Sequence, residues 1–280
     1  MQNENWDWNV RTLREYGKLK QVEKEMTSYK LDIISLSEIR WKENGEIKTQ
    51  NGNSLILSCV GEDIENRSEV DILMKKEAQR SLMEWSPISE RIILAHFKKI
   101  NRNLTIIQCY APTETTDKHM KEEFYQQLHE TTTTFRKRDV IRAMGDMNAK
   151  VGPNNEGLEH VIHRHGIGNM TENGELFSKL CACCDQDIGG IIFPHKTCHK
   201  VSWVSSDNIM ESQIDHIAIS KRFRRPLVDV RNKRRADIGS DRHLMIANFR
   251  FKILAAREKT ETRRKKNNVK TSNTKCKGRI

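Results

Sequence analysis

The chain has 280 residues and a formal net charge of +11 at pH 7. A chain of this length can bury a full core, and since no Pro, Gly or Ser linker divides it, we predict one large domain over residues 1–255. The positive charge favours a polyanionic partner, because Lys and Arg gain affinity by releasing counterions from phosphates. A basic surface that serves only solubility is the alternative.

The seven cysteines are odd in number and mostly isolated in sequence, which does not suggest the disulfide framework of a secreted protein. The N-terminus lacks a signal-peptide pattern, and no apolar run reaches the roughly eighteen residues that a membrane span needs. We therefore expect an intracellular protein, nuclear or cytoplasmic, without a membrane partner. Residues 256–280 predict a disordered basic tail, whose RRKK cluster could serve nuclear import, DNA contact or neither role.

The first elements in the chain predict a strand, a helix and a second strand. The helix is indicated over residues 14–29, where apolar side chains recur three and four positions apart. The apolar run LDIISLS then suits a buried strand that ends at Glu38. Four runs rich in β-branched residues follow in close succession and predict antiparallel neighbours: SLILSCV, VDILM, RIILAHFKK and LTIIQCY.

The second half of the chain alternates helices and strands. Helices are predicted over residues 118–137 and 173–184, on either side of a strand that runs from DVIRAM into GDMN. Further strands are predicted near KVSWV, QIDHIAIS, PLVDVRNKR and HLMIANFRF. Strand-rich stretches interrupted by three helices predict an α/β protein in which two sheets pack face to face with the helices outside.

Five short polar segments stand where the predicted apolar strands end. Carboxylates and amides at strand ends can converge on one rim of a sheet, which is where hard cations and phosphate chemistry are usually assembled. Glu38 and Asp241 are candidate Mg²⁺ ligands on this basis. The segments are DWNVR with Asn9, SEIRW with Glu38, GDMNAKVG with Asp146 and Asn148, QIDHI with Asp215, and SDRHL with Asp241.

The GDMN segment has two interpretations. In an extended chain, Asp146 and Asn148 point the same way, so one could activate a water while the other holds a phosphate oxygen. Asp and Asn beside Gly are also common in turns, and both residues could have only that role.

The five polar segments, taken in order, resemble the endonuclease/exonuclease/phosphatase superfamily, which includes deoxyribonuclease I and the apurinic/apyrimidinic endonucleases. Seven motifs are similar more specifically to the endonuclease domain of RTE-type non-LTR retrotransposons, a group that includes proteins called craniofacial development protein 2-like. They are WNVRTL, LDIISLSEIRW, SPISERII, QCYAPT, GDMNAKVG, IGGIIFPHK and QIDHIAIS. The resemblance covers residues 6–250. It implies a deoxyribonuclease I-like, four-layer sandwich of two mixed β-sheets, and Mg²⁺-dependent nicking of DNA by phosphodiester hydrolysis, with Mn²⁺ as an alternative ion.

The resemblance also implies roles for particular residues. Glu38 would be the main metal ligand, and Asn9 and Asp241 would complete the metal and phosphate shell. Asp146 would align and deprotonate the attacking water. The metal would act as a Lewis acid on the phosphate and neutralise the leaving oxygen, while the protein supplies positioning and preorganised charge.

The resemblance implies that other residues in these motifs contact or face the substrate. Asn148 would steady the phosphate and Tyr110 of QCYAPT would donate its hydroxyl to a phosphate oxygen. Asp215 would orient a histidine. Arg40 and Trp41 follow Glu38 in a segment that should face DNA, although Trp41, like Trp203, could instead anchor the core.

The expected histidine is absent, because the family pattern is Ser-Asp-His and this chain has Arg242 after Asp241. His243 is one position late and should face the opposite way on an extended segment. Arg242 could pair with Asp215 and supply positive charge, but it cannot donate or accept a proton. Loss of a positioned acid/base group typically lowers a rate by about 10² to 10⁴. We therefore expect an impaired endonuclease. The alternative is a catalytically inactive DNA-binding remnant, and a small phosphorylated substrate fits the charge less well.

Further departures from the family concern the strands and the chain as a whole. Glu69 and Asp71 stand where relatives usually have glycines, and the first strand is expected to be short. We find no reverse transcriptase segment in the chain and expect a monomeric, isolated endonuclease-like copy.

A cluster of cysteines and histidines suggests zinc, but its spacing lacks paired C-x-x-C units. We expect its first three cysteines to pack at a helix end against the core. We read His163 and His165 as belonging to a polar loop. The zinc-like cluster comprises Cys181, Cys183, Cys184, His195, Cys198 and His199.

Overall fold

The computed structural model describes residues 2–10, 13, 17–41, 45–58, 68–99, 102–135, 138–234 and 241–250. The predicted tail lies outside these residues and stays a prediction. Within the described ranges, no helix is both long and apolar enough to cross a membrane.

Two mixed β-sheets form the centre of the molecule. The seven strands of sheet one are, in spatial order, β14 (Leu227–Lys233), β15 (Leu244–Arg250), β1 (Gln2–Asn9), β2 (Ile33–Trp41), β5 (Ser68–Met74), β4 (Ser54–Leu57) and β3 (Gly45–Lys48). The six strands of sheet two are β10 (Gln186–Ile188), β13 (Asp215–Ser220), β9 (Val140–Asp146), β8 (Leu104–Tyr110), β7 (Ile92–Phe97) and β6 (Leu82–Ser89).

The remaining elements are helices and one small ribbon. The α-helices are α1 (Lys18–Ser28), α2 (Lys76–Gln79), α3 (Lys118–Thr133) and α4 (Glu172–Cys183). Three short 3₁₀ turns span Gly189–Ile191, Thr197–His199 and Lys221–Phe223. The ribbon pairs β11 (Trp203–Val204) with β12 (Glu211–Ser212) in antiparallel register.

Three apolar clusters separate the layers of the sandwich. The cluster between the sheets includes Ile72 of β5 and Ile106 of β8. A second cluster joins Met26 of α1 to sheet one, and a third joins Phe177 of α4 to the outer face of sheet two. The order of layers is therefore helix, sheet, sheet, helices, which confirms the predicted four-layer architecture.

The predicted opening unit is present, since β1 and β2 are parallel and α1 connects them. The first strand is longer than expected and covers Gln2–Asn9. The β4–β5 and β7–β8 pairs are antiparallel as predicted, but they lie in different sheets. The strand predicted over KVSWV shrinks to Trp203–Val204. β3 and β6 were not predicted; both lie at a sheet edge and neither contains a fully buried side chain that would give an apolar run.

The strand β2 continues three residues beyond Glu38, where we expected it to end. Along β2, Ser35 and Ser37 face the other sheet while Ile34 and Leu36 face α1. Strict alternation would turn Glu38 towards α1 as well. Glu38 instead adopts a left-handed conformation (φ 58°), and the register with β5 shifts between Ser37 and Trp41. This bulge re-aims the carboxylate of Glu38.

The packing of α4 makes a stability prediction. Phe177 is fully buried in the third cluster, so Phe177→Ala should lower the free energy of unfolding by about 3 to 5 kcal/mol through lost burial and a cavity. Lys179→Ala, on the exposed face of the same helix, should change it by less than about 0.5 kcal/mol. Denaturant unfolding measures both values. Equal losses would show that α4 does not pack as described.

Candidate active site

Polar side chains from both sheets meet at one end of the sandwich. In sheet two, Asp146 at the end of β9 lies beside Tyr110 at the end of β8 and beside Asp215 at the start of β13. In sheet one, β1 and β2 end at the same side with Asn9 and the bulge at Glu38. Alternation turns four of these strand-end side chains towards the interior between the sheets, and the bulge in β2 turns Glu38 the same way. The five positions are therefore neighbours in space, although they are distant in sequence.

Gly145 allows β9 to approach β8 closely just before Asp146. It has a positive φ of 143°, and a Cβ placed there would lie 1.9 Å from the carbonyl oxygen of Cys109. No side chain fits at that distance, so only glycine permits this strand end.

Asn9 connects the two sheets. Its Nδ2 donates one hydrogen bond to Glu38 Oε1 at 2.7 Å and another to Asp146 Oδ2 at 3.0 Å. The hydroxyl of Tyr110 donates to the same Glu38 oxygen at 3.1 Å. Burial and the nearby charges of Glu38 and Asp146 raise the pKa of Tyr110, so its hydroxyl keeps its proton. The carboxylate of Glu38 is thus held by a donor from each sheet.

The GDMN segment leaves the strand at Asp146 and turns. The backbone N–H of Asn148 donates to Asp146 Oδ1 at 3.0 Å, and Asn148 has a left-handed φ of 45°. Its side-chain Nδ2 donates to the carbonyl of Ala111 at 2.8 Å. The hydrogen bond from the Asn148 N–H forms a local turn, so the alternation of an extended strand does not hold at Asn148, and the roles of both residues stay a prediction. Asn148 nevertheless stays beside Asp146.

Asp146 is fully buried, and burial raises its pKa. The charge of Arg242 and the hydrogen bonds from Asn148 and Asn9 offset that effect only in part. Burial and the charge of Asp146 also raise the pKa of Asp215 well above its usual range. These carboxylates therefore compete for protons and for any positive charge.

Arg242 supplies the positive charge. Its Nη2 lies 2.8 Å from Asp146 Oδ2 and its Nη1 lies 3.6 Å from Asp215 Oδ2, so the predicted contact with Asp215 is accompanied by a closer one. Arg242 is only 8% exposed. Burial lowers the pKa of Arg242, but the charges of Asp146 and Asp215 outweigh that effect and raise it overall. Arg242 therefore remains charged.

His243 does not take over the position of the missing histidine. Arg242 forms an antiparallel bridge with Trp203, and the N–H of His243 donates to the carbonyl of Ser202. The charges that influence the pKa of His243 come from Arg234 and Glu211, not from the buried aspartates.

The β11–β12 ribbon supports the rim of the site. Trp203 Nε1 donates to Asp241 Oδ2 at 3.0 Å, which gives this half-buried tryptophan a polar role that the sequence did not predict. The hydroxyl of Ser202 accepts hydrogen bonds from the backbone N–H groups of Ile214 and Asp215 at 3.0 and 3.1 Å. The ribbon thereby fixes the start of β13.

Asp7 is a site neighbour that the sequence reasoning missed. It lies two residues before Asn9 and therefore faces the same interior space, where it is 1% exposed. Gln108 Nε2 donates to Asp7 Oδ1 at 2.7 Å and to Ser37 Oγ at 2.9 Å. Burial raises the pKa of Asp7 to about 8, against the lowering effect of Gln108. The sequence did contain a clue. Asp7 is an acidic residue in the largely apolar strand WDWNV, and its spacing of two from Asn9 points both side chains to the same face.

The outcome differs among the remaining predicted positions. The side chain of Arg40 is outside the described residues, and Trp41 packs against the α1 cluster, which favours the anchoring interpretation. Asp71 is fully buried and accepts a hydrogen bond from the N–H of Ser58 at 3.1 Å, so an acidic residue is accommodated inside β5.

The cysteines divide between core and surface. Cys181 is buried as predicted, but Cys183 is exposed because it lies on the other side of α4. His195 contacts Asp229 at 2.5 Å, and His163 in its loop lies 3.7 Å from Asp187. Within the described ranges, no three His, Cys, Asp or Glu side chains are arranged to hold a metal ion.

The chemistry of the predicted metal ligands fits Mg²⁺. The set consists of two carboxylates and one amide, which is typical of an ion that keeps several waters and takes phosphate oxygens. Because only two of these three ligands are acidic, the set does not by itself amount to a cluster of three His, Cys, Asp or Glu side chains. Burial is the main cause of the raised pKa values of Asp7, Asp146 and Asp215, and the charge of Arg242 offsets it only in part. A hard divalent cation beside Glu38 would favour the ionised form of these carboxyl groups.

Comparison with solved structures finds the same architecture in nucleases. The endonuclease domain of TRAS1, a telomere-specific non-LTR retrotransposon, has a TM-score of 0.61 and 12% identity, covering 89% of this chain and 99% of that one. The AP endonuclease LMAP from Leishmania major has a TM-score of 0.66 and 14% identity, covering 90% and 88%. An AP endonuclease from Archaeoglobus fulgidus gives 0.65 and 16%, covering 89% and 100%.

The chain has the fold of the endonuclease/exonuclease/phosphatase family. Two proteins named Craniofacial development protein 2, from Tragulus javanicus and Bos taurus, are each 30% identical to it over 246 residues, or 88% of this chain. The chain spans about two fifths of their length, at 42% and 40%. No protein-family model matches the chain. The resemblance predicted from the sequence motifs is confirmed by these relatives and by the fold.

The raised pKa of Asp7 makes a pH prediction within this fold. The pKa of Asp7 is about 8 in the folded protein, against an ordinary value of 3.8 in the unfolded chain, so the folded protein keeps this proton over a wider pH range. The contribution of Asp7 to the free energy of unfolding is therefore fully present below about pH 4 and is lost as the pH rises through 8. The loss amounts to up to about 1.4 kcal/mol per pH unit. Asp7→Asn keeps the acceptor for Gln108 without titrating, so its free energy of unfolding should fall less between pH 5 and pH 8.

Denaturant unfolding of both proteins across that pH range measures the difference. Asp185→Asn, which changes a largely exposed carboxylate, is the control and should follow the wild type. A wild type and Asp7→Asn variant with parallel pH profiles would show that Asp7 is ionised in the folded state.

Proposed function

We propose that this protein is a Mg²⁺-dependent DNA endonuclease of RTE-type retrotransposon origin, with Mn²⁺ as an alternative ion, and that Arg242 lowers its turnover. The observation that supports the proposal most is the double hydrogen bond of Asn9, which places the carboxylate of Glu38 beside that of Asp146. The relatives add support, because solved structures with this fold include an endonuclease domain of a non-LTR retrotransposon and AP endonucleases.

Glu38, Asn9 and Asp241 would hold the cation, whose charge would polarise the phosphate and neutralise the leaving oxygen. Asn9 and Tyr110 orient the Glu38 carboxylate, and Trp203 orients that of Asp241. These donors fix the ligands before substrate arrives, which is the preorganisation that phosphoryl chemistry requires.

Asp146 is the proposed general base. Its raised pKa makes it a stronger proton acceptor than an exposed aspartate at neutral pH, and Asn148 holds its second oxygen in place. Asn148 and Tyr110 would contact phosphate oxygens, and for Tyr110 this means exchanging its hydrogen bond to Glu38 for one to the substrate. Arg40 and Trp41 remain proposed DNA contacts.

Arg242 would stabilise negative charge on the phosphate without transferring a proton. In the family pattern, Asp215 would orient a histidine. Here it would instead pair with the guanidinium of Arg242. The proton that a histidine would have donated to the leaving oxygen would have to come from solvent, which supports slow turnover.

One observation favours the alternative, a DNA-binding remnant without catalysis. Arg242 Nη2 lies 2.8 Å from Asp146 Oδ2, the same oxygen that accepts from Asn9. An oxygen with two charged or polar donors is a poor proton acceptor, so Arg242 would inhibit the proposed base while it preserves positive charge in the site.

Nicking of supercoiled plasmid separates the two functions. With Mg²⁺, the wild type should nick slowly, Asp146→Ala should not nick, and Arg242→His should nick about 10²-fold faster or more, because a titratable group returns. Arg164→His, at an exposed loop position, is the matched control and should equal the wild type. Chelation of divalent ions should stop all cleavage.

Other outcomes of this assay are also decisive. If the wild type matches Asp146→Ala and only Arg242→His cuts, the remnant alternative is correct. If neither the wild type nor Arg242→His cuts, and neither binds DNA in a gel-shift assay, both functions are wrong. Cleavage that persists in chelator would contradict the metal requirement.

A further inference from the structure

Basic side chains gather at the end of sheet two that is opposite to the buried carboxylates. β8 and β9 are parallel and end at the candidate site, whereas the antiparallel β13 begins there. The loops before β8 and β9 and the turn after β13 consequently lie together at the other end. We call six of the basic residues in these segments the far-rim patch: Arg102, Arg138, Lys221, Arg222, Arg224 and Arg225.

Contacts between the three segments make the patch one surface. Phe223 is 7% exposed, with the guanidinium carbon of Arg102 5.0 Å and that of Arg222 6.0 Å from its ring centre. Arg102 Nη1 also donates to the carbonyl of Arg138 at 3.4 Å. Arginine side chains from different loops are therefore held by an aromatic ring and a backbone carbonyl.

Acidic residues neutralise only part of the patch. Lys221 lies 3.5 Å from Asp185, and Arg224 lies 3.5 Å from Asp187, which also contacts His163. Within the described part of the chain, no ion pair involves the other four arginines of the patch, and all four are exposed. Asp139 is adjacent to Arg138 in sequence but is not paired with it. The patch keeps a net positive charge in a region built mainly from arginine.

This composition fits the phosphate backbone of a nucleic acid. Guanidinium groups bind phosphates with two parallel hydrogen bonds, a geometry that lysine cannot provide. A membrane surface fits less well, because binding there usually adds apolar side chains that enter the lipid, and the one aromatic residue of the 221–225 segment is buried.

The patch is separate from the candidate active site. The strand β13 runs from Asp215 to Ser220, next to the patch, so its six residues set a separation of about 20 Å at roughly 3.3 Å per residue. A phosphodiester held by Glu38 and Asp146 therefore does not touch the arginines at the other end of the strands.

We propose that the far-rim patch is a second nucleic-acid-binding surface, which binds the phosphate backbone of a duplex segment other than the one at the active site. This binding does not require the active site to cut DNA. One molecule that uses both surfaces joins two duplex segments.

Binding measurements in chelator, where no cleavage occurs, test the proposal. Arg222→Glu/Arg225→Glu reverses two exposed charges of the patch, and Lys20→Glu/Lys24→Glu makes the same charge change on the exposed face of α1. Fluorescence anisotropy of a labelled duplex over a range of salt concentrations should show weaker binding for the patch variant. Its slope of log K against log salt should be smaller by about 2, while the α1 control should keep the wild-type slope.

Bridging gives an independent measure. Protein bound to a duplex on beads should capture a second, labelled duplex; the patch variant should lose this capture and the α1 control should retain it. Identical salt slopes and capture for the patch variant and the α1 control would overturn the proposal. So would unchanged duplex binding together with loss of binding to phosphatidylserine vesicles, which would identify a membrane surface.

The two proposals can fail separately. Absence of nicking in the wild type and in Arg242→His, with patch-dependent capture intact, would remove the endonuclease and keep the second surface. Nicking without patch-dependent binding would keep the endonuclease and remove the second surface.

Discussion

The contact between Arg242 and Asp146 is the interaction on which the candidate site depends. Asp7, Asp146 and Asp215 are packed between two sheets, where burial raises the pKa of each carboxyl. Several ionised carboxylates in such a space repel one another, and one buried guanidinium offsets only part of that repulsion. Arg242 therefore stabilises the arrangement of the carboxyl groups and contacts one oxygen of Asp146. In the proposed enzyme the same contact would limit the chemistry of the site.

The directions of the strands in sheet two place acidic side chains at one end of the sheet and basic side chains at the other. Parallel β8 and β9 and antiparallel β13 deliver Tyr110, Asp146 and Asp215 to one end of sheet two, and the same connections deliver the far-rim arginines to the other end. A carboxylate-rich end suits cations and activated water, and an arginine-rich end suits phosphates. The net charge of +11 therefore does not describe the site itself, whose own side chains are mostly acidic.

Small backbone departures from regular strands position the key groups. A left-handed Glu38 in a bulge turns its carboxylate away from α1, and Gly145 lets β9 lie against the backbone of Cys109. Asn9 then links the two sheets through Glu38 and Asp146. Such bulges are features that re-aim side chains at functional sites, and here they occur on both sides of the interface between the sheets.

The sequence by itself determined the fold class, the β1–α1–β2 unit and the set of strand-end polar residues, because hydrophobic periodicity and local motifs depend on neighbours along the chain. Its resemblance to the family pattern also predicted a histidine at the position of Arg242. Only the tertiary structure decided that Asp7 and Gln108 join the site, that Arg242 contacts Asp146 more closely than Asp215, and that Trp203 holds Asp241. These contacts connect residues far apart in sequence, and their geometry depends on how two twisted sheets and their bulges meet, which no local pattern records.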